Sequence, residues 1–318
     1  MSKSVSLSSS PNTGGATAIM RDVLIALSPA VVMAIFWFGL RGAMLITVSV
    51  ISCVGFEFFY RKSLKKSVTV TDLSAVVTGV LIALNMPPGV PLWVPVLGAF
   101  FAIIIVKQLF GGLGQNFVNP ALAATAFLMA AYPMIMNDFS YVFYPFSPDS
   151  FVYATPMAQA AQANFTPTFE SYFTQLIQNP YGTVGQVTQI TLILGGAYLL
   201  VRRVISWHIP CVFIVTAALM FWVFGHHGLF TGLPHFEILL GGIMLGAFFL
   251  ATDHSTSPAT PLGKIIFGAG CGVLTVVIRL WGSFPVSVTY AILFMNLLVP
   301  LIDKFTQHKI SGEVKQNA

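Results

Sequence analysis

Apolar runs follow one another closely from residue 22 to residue 134 and again from 187 to 301, and they constrain the fold more than any other feature of the chain. Runs bounded by charge, Pro or Gly number ten: 22–40, 43–60, 72–86, 91–109, 119–134, 187–201, 206–225, 236–252, 262–282 and 285–301. A helix needs about 20 apolar residues to cross a bilayer. The expected fold is therefore an all-α polytopic membrane protein with about ten transmembrane helices. Several runs fall short of a full crossing and are flanked by Pro or Gly. Such runs mark broken helices, tolerated where backbone lines a protein cavity rather than lipid. Composition excludes the alternative: 8% of the 318 residues are charged and 56% are hydrophobic, whereas a soluble protein carries about 25% charge.

The few basic residues orient the runs. With the N-terminus in the cytoplasm, thirteen of the fifteen Lys and Arg residues fall inside, and only Arg41 and Arg279 fall outside. No Lys or Arg lies between Lys107 and Arg202, a stretch that contains the long polar loop 137–186, so this loop is expected on the periplasmic or exterior face. The chain then divides into a cytoplasmic tail (1–21), a first five-helix half (22–134), an outside loop (135–186), a second five-helix half (187–303) and a cytoplasmic tail (304–318). No removable signal peptide is expected, since the first twenty residues lack a hydrophobic stretch followed by a cleavage site. The net charge of +5 does not indicate nucleic-acid binding, because the basic residues punctuate apolar runs rather than cluster on one surface. Cys53, Cys211 and Cys271 each stand alone in an apolar run, as buried structural thiols would, and no metal site is expected.

The run 72–86, a Pro-rich turn and the run 91–109 parallel the run 236–252, a second Pro-containing turn and the run 262–282. Five crossings separate the copies, which predicts an inverted five-plus-five repeat with the functional site where the halves meet. Acidic residues within or beside the runs are Asp22, Glu57, Asp72, Glu237, Asp253 and Asp303, and charge in lipid is costly enough to make each a functional suspect. Asn116 and Asn119, three residues apart, share one face if the helix begins that early, with Pro120 suited to its first turn.

The outside loop contains Asp149-Ser150-Phe151-Val152-Tyr153-Ala154-Thr155, an Asp-x-x-x-x-Ala-Thr pattern. The segment 107–133 runs KQLFGGLGQNFVNPALAATAFLMAAYP, and further motifs follow in order: Gly182-Thr183-Val184-Gly185, Ile205-Ser206-Trp207, Ala251-Thr252-Asp253 and Pro300-Leu301-Ile302-Asp303. Together these resemble the family that holds the D subunit of Rnf complexes and its paralogue, the B subunit of the Na+-translocating NADH:quinone oxidoreductase. The length favours the Rnf subunit. Val152 and Tyr153 stand where the family more often has small residues, and His254 where it commonly has Pro.

The resemblance implies a membrane flavoprotein subunit of an ion-translocating oxidoreductase in the bacterial inner membrane, passing electrons between ferredoxin and NAD while Na+ or H+ is moved. It implies FMN joined to Thr155 as a phosphoester by a flavin transferase, with Asp149 and Ala154 completing the motif. It also implies a noncovalent riboflavin, with Asn116 and Asn119 as contacts. Asp303 matches an ion-access position of the paralogue, and Asp72, at the start of the third run, is the second ion-coupling candidate. No residue is assigned a catalytic role. Ferredoxin and NAD would bind other iron–sulfur and flavin subunits, since this chain has neither a GxGxxG after a strand nor an iron–sulfur cysteine set. Two other readings stay open, the quinone-reducing paralogue and a channel or secondary transporter for a small solute.

Overall fold

Glycine at position 39 decides how the first apolar stretch folds. In a computed structural model, which describes residues 15–67, 69–139, 167–177, 182–186, 188–225, 228–282 and 286–307, this stretch is α1 (Ala16–Ser63), interrupted at Gly39 by φ 57° and ψ −141°. Glycine adopts such angles at no steric cost. Glu57, late in α1, binds Lys107, which lines a cavity together with Ile19, Met20 and Val23 from the start of α1. A straight helix would hold residues 20 and 57 about 55 Å apart. The chain therefore reverses at Gly39, and the runs at 22–40 and 43–60 form two antiparallel arms.

After a 3-10 turn (Val70–Asp72) comes α2 (Ser74–Leu84), whose 11 residues reach only about half of a 30 Å hydrocarbon layer. The Pro87-Pro88 pair ends it by removing backbone donors. Arg41, beside the reversal at Gly39, donates to the carbonyls of Pro88, Gly89 and Val90. The chain returns through α3 (Trp93–Phe100), which loosens into a π-helix (Phe101–Gln108), and then α4 (Pro120–Ala131) and α5 (Pro133–Met136).

Beyond the loop lie α6 (Phe169–Ile177), a 3-10 turn (Val184–Gln186), α7 (Gln189–Val201) and α8 (His208–Val223). A small antiparallel ribbon pairs Phe224 with Leu229 and Gly225 with Gly228. The run at 236–252 is not one helix. It splits into α9 (Pro234–Glu237), turns at Gly241 and Gly242 with positive φ, and α10 (Ile243–Leu245), which widens into a second π-helix (Gly246–Leu250). The chain closes with α11 (Pro261–Trp281) and α12 (Ser287–Gln307).

Among the described residues, α1, α11 and α12 are long and apolar enough to cross a membrane, while α2, α3 with its π extension, α4, α7 and α8 are shorter apolar helices. The molecule is a helical membrane protein. Its arms pack α1 against α2, α3 and α7, and α11 against α8 and α12. A Cβ on Gly195 would come within 2.2 Å of the Ala26 carbonyl, so α7 and α1 meet backbone to backbone, the close approach that holds helices together in lipid. Val32, Leu40, Ile51, Phe59, Leu194 and Phe305 lie on the outer surface. Cys53 and Cys271 are buried as expected, but Cys211 is exposed. The run that holds Cys211 is apolar on all sides of α8, so composition does not separate its inward face from its outward one.

Candidate functional site

Both π-helices send residues to the wall of one cavity, and beside it a belt of side-chain amides ties the end of the second to α4 and α12. The Asn119 backbone is extended (φ −64°, ψ 121°), its Oδ1 accepts from the amides of Ala121 (3.0 Å) and Leu122 (3.3 Å), and Pro120 occupies the first helical position. This is an N-cap in its favoured form. The Nδ2 of the same side chain donates to the carbonyl of Leu250 at 3.3 Å, at the end of the second π-helix. The Asn119 amide donates to Asn296 Oδ1 (3.2 Å) on α12, and Asn296 Nδ2 donates to the Thr256 carbonyl (2.9 Å).

The cap fixes where α4 begins, and it corrects the expectation that Asn116 and Asn119 share a helical face. Asn116 lies in the loop ahead of the helix. The two amides have different surroundings: Asn119 caps α4 and reaches Leu250, whereas Asn116 Oδ1 is buried and has no partner among the described residues. Both line a small cavity of about 70 Å³, together with Thr78, Lys107, Phe248, Phe249, Asp253 and His254.

Beside this cavity sits a charged cluster. Lys107 is 1% exposed and Glu57 0%. Lys107 Nζ donates to Glu57 Oε2 at 2.9 Å and to Ser74 Oγ at 2.6 Å, while Gln108 Nε2 (3.0 Å) and Thr69 Oγ1 (2.9 Å) donate to Glu57 Oε1. Asp72 accepts from the amide of Ser74 at 2.8 Å and from its hydroxyl, which ties the start of α2 into the network. Removal of one member of such a pair strands a buried charge and costs about 3–5 kcal/mol.

Asp303 is elsewhere. Its Oδ1 accepts from the Ala259 amide at 3.1 Å and fastens the turn before α11 to the end of α12. Asp253 is held by Ser255 and Thr256. At the opposite end of the bundle Arg279 is buried, donates to the carbonyls of Glu237 and Leu240, and lies 5.2 Å from the Phe221 ring. Thr155, Asp149 and Ala154 lie outside the described residues. Asn296 and the pairing of Lys107 with Glu57 are not visible in the sequence: the members of each contact are 177 and 50 residues apart. A lone Lys inside an apolar run is the one available hint, since it demands a partner.

Short helices that stop inside the bundle, a buried ion pair and a belt of amides across them define a class, the helical membrane proteins built around interrupted helices. The chain belongs to the NQR2, RnfD, RnfE family, whose model matches residues 7–312. It is similar to the D subunit of the Na(+)-translocating ferredoxin:NAD(+) oxidoreductase complex of Acetobacterium woodii, 44% identical over 316 residues, 98% of this chain and 96% of that protein. With the D subunit of the proton-translocating ferredoxin:NAD(+) oxidoreductase complex of Clostridium ljungdahlii it shares 40% identity over 312 residues, 95% and 94% of the two chains. The D subunit of the ion-translocating oxidoreductase complex of Aliivibrio salmonicida is 33% identical over 333 residues, 93% and 94% of the two.

Proposed function

We propose that this chain is the flavin-bearing membrane subunit of an ion-translocating ferredoxin:NAD oxidoreductase complex. The observation that carries the proposal is likeness along nearly the whole chain to the D subunits of two such complexes. One of those relatives is named for Na+ and the other for protons, so the coupled ion is left open between the two.

Thr155, in the pattern completed by Asp149 and Ala154, would carry FMN as a phosphoester added by a flavin transferase. The group supplies one- and two-electron exchange, and the chain supplies its position and surroundings. Ferredoxin and NAD would be served by the iron–sulfur and flavin subunits of the complex. A second, noncovalent flavin such as riboflavin is assigned to the inner cavity. Asn116 Oδ1 fits the imide N–H of such a ring, and Phe248 and Phe249 offer apolar faces. At about 70 Å³ the cavity is smaller than the ~300–1,000 Å³ of an ordinary ligand pocket, so a flavin would have to part its walls, among them Leu113 in the Gly111–Gly114 segment. All three of its glycines already hold positive φ. Asn119 keeps its Oδ1 for the cap, and the second hydrogen of its Nδ2 is the contact it offers a ring in the cavity.

In the membrane we place ten crossings, both tails in the cytoplasm and the Thr155 loop outside. Support comes from the basic residues near the Glu57 cluster, and from Arg41 and Arg279, which donate to backbone carbonyls at the other end. The inverted repeat is supported by two short segments, α2 and α10 with its π-helical extension, each stopping inside the bundle before a Pro-containing turn. Ion coupling is assigned to Asp72, which shares its network with Glu57 and Lys107, and to Asp303.

Covalent flavin tests the proposal. The denatured band from cells that contain the flavin transferase should fluoresce, and Thr155→Ala should abolish the signal. Mass spectrometry of the Thr155 peptide should show the added FMN. An unmodified peptide as the only species under those conditions would sink the flavoprotein assignment. Asn116→Leu should keep the fluorescent band and lose the flavin that acid extraction releases.

A further inference from the structure

A second cavity, of about 680 Å³, opens between the α7–α8 corner and the start of α11. Arg203, Ser206 and Trp207 line it from the corner, His254 from the loop after α10 and Lys264 from α11. Arg203 holds a left-handed backbone with φ 56°, unfavourable for a residue with a side chain, immediately after α7 ends. Among the described residues, neither Arg203 nor Lys264 has a carboxylate within ion-pair distance. The acids nearby are engaged. Asp22 is held by Arg202 at 3.5 Å and Tyr198 at 3.3 Å, and Asp253 by Ser255 and Thr256.

The corner adds further positive potential. Trp207 is the N-cap of α8 but makes no side-chain cap, which leaves the positive end of a 16-residue helix at the cavity rim. The rim itself is apolar: Val201 is 81% exposed and Trp207 57% exposed. An indole and an exposed aliphatic side chain at the end of an apolar helix sit where headgroups meet acyl chains.

We propose that this cavity binds the headgroup phosphate of an anionic phospholipid, with Arg203 and Lys264 on the phosphate and the acyl chains along Val201 and Trp207. A free phosphate ion would use the cations and leave the apolar rim idle, whereas an amphiphile uses both. Basic pockets between helices at the cytoplasmic border take such headgroups. Ile205 and His254 line this cavity and the inner one alike, so the headgroup site and the proposed flavin cavity share a wall.

The full chain, purified in detergent and stripped of lipid, is titrated with phosphatidylglycerol and with phosphatidylcholine and followed by native mass spectrometry. One phosphatidylglycerol should be retained in preference to phosphatidylcholine. The double variant R203Q/K264Q should bind it about thirtyfold more weakly, the effect of two surface cations on one headgroup. Lys304→Gln, at the same end of the molecule, should bind like the parent. Phosphatidylglycerol with brominated chains should quench indole fluorescence, and Trp207→Phe should lose that quenching, which reads the site without removing a charge. Equal retention by R203Q/K264Q would overturn the proposal. Displacement of the lipid by millimolar inorganic phosphate would overturn it too, in favour of a site for the free ion.

Discussion

Lys107 is the residue on which the buried network turns. Its ammonium faces Glu57 and Ser74, and both members of the ion pair are closed off from the surface. Lys107→Met should therefore lower stability by about 3 kcal/mol, the low end for a broken buried pair, because Arg61 stays 3.8 Å from the Glu57 carboxylate, while joint replacement of Glu57 and Lys107 by Met should recover much of that loss. Thermal unfolding in detergent decides the matter, and a double variant no better than the single one would show that the pair is not a unit. The cap formed by Asn119 and Pro120 was legible in the sequence, because those residue types at that spacing suit a helix start. The different duties of Asn116 and Asn119 were not. They follow from where α4 begins, a boundary that hydrophobic periodicity fixes only to within a few residues.

Among the elements, α1 shows most plainly what apolar runs do and do not disclose. Two adjacent runs were readable as two helices, and both are present. The tightness of their connection rests on the single backbone conformation of Gly39. Gly39→Val should destabilise the protein by about 1–3 kcal/mol, since a branched side chain cannot take those angles without strain. Gly55→Ala is the matched control: it lies in the same helix with nothing within 4 Å of its Cβ position, and should be neutral or stabilising by about 1 kcal/mol. A Gly39→Val protein that melts like the parent would mean that the reversal is made by its neighbours instead. The split of the run at 236–252 was hidden for a physical reason. Gly and apolar residues there suit both a helix and a turn, and only the packing of Phe236 and Leu240 on one side and Ile243 on the other chooses.

At the scale of the whole molecule, charge is sparse enough to act as a compass. Apart from Arg41 and Arg279, the basic residues that bound the apolar runs are expected on one side, and that orientation predicts which positions meet which compartment. In a background with Cys53, Cys211 and Cys271 replaced, Lys304→Cys should react with an impermeant maleimide only in inside-out vesicles. Met134→Cys, at an 86% exposed position on α5, should react only in right-side-out ones. Labelling of both from one side would exclude an odd number of crossings between them. Membership of the family was legible from motifs spread along the chain, and nearly full-length similarity to known relatives bears it out. The flavin loop rests on sequence alone, because Thr155 lies outside the described residues.

Arg41 carries a consequence for how the protein is made. Its guanidinium is satisfied by carbonyls 47 to 49 residues further along the chain. At about 5–20 residues per second, several seconds pass between the synthesis of this arginine and that of its partners. Through that interval the first hairpin holds an unsatisfied cation at its tip, exposed to water or headgroups. Its docking has to wait for the proline turn to emerge, so the two arms of α1 and the α2 helix complete their assembly together and not one by one as they leave the ribosome.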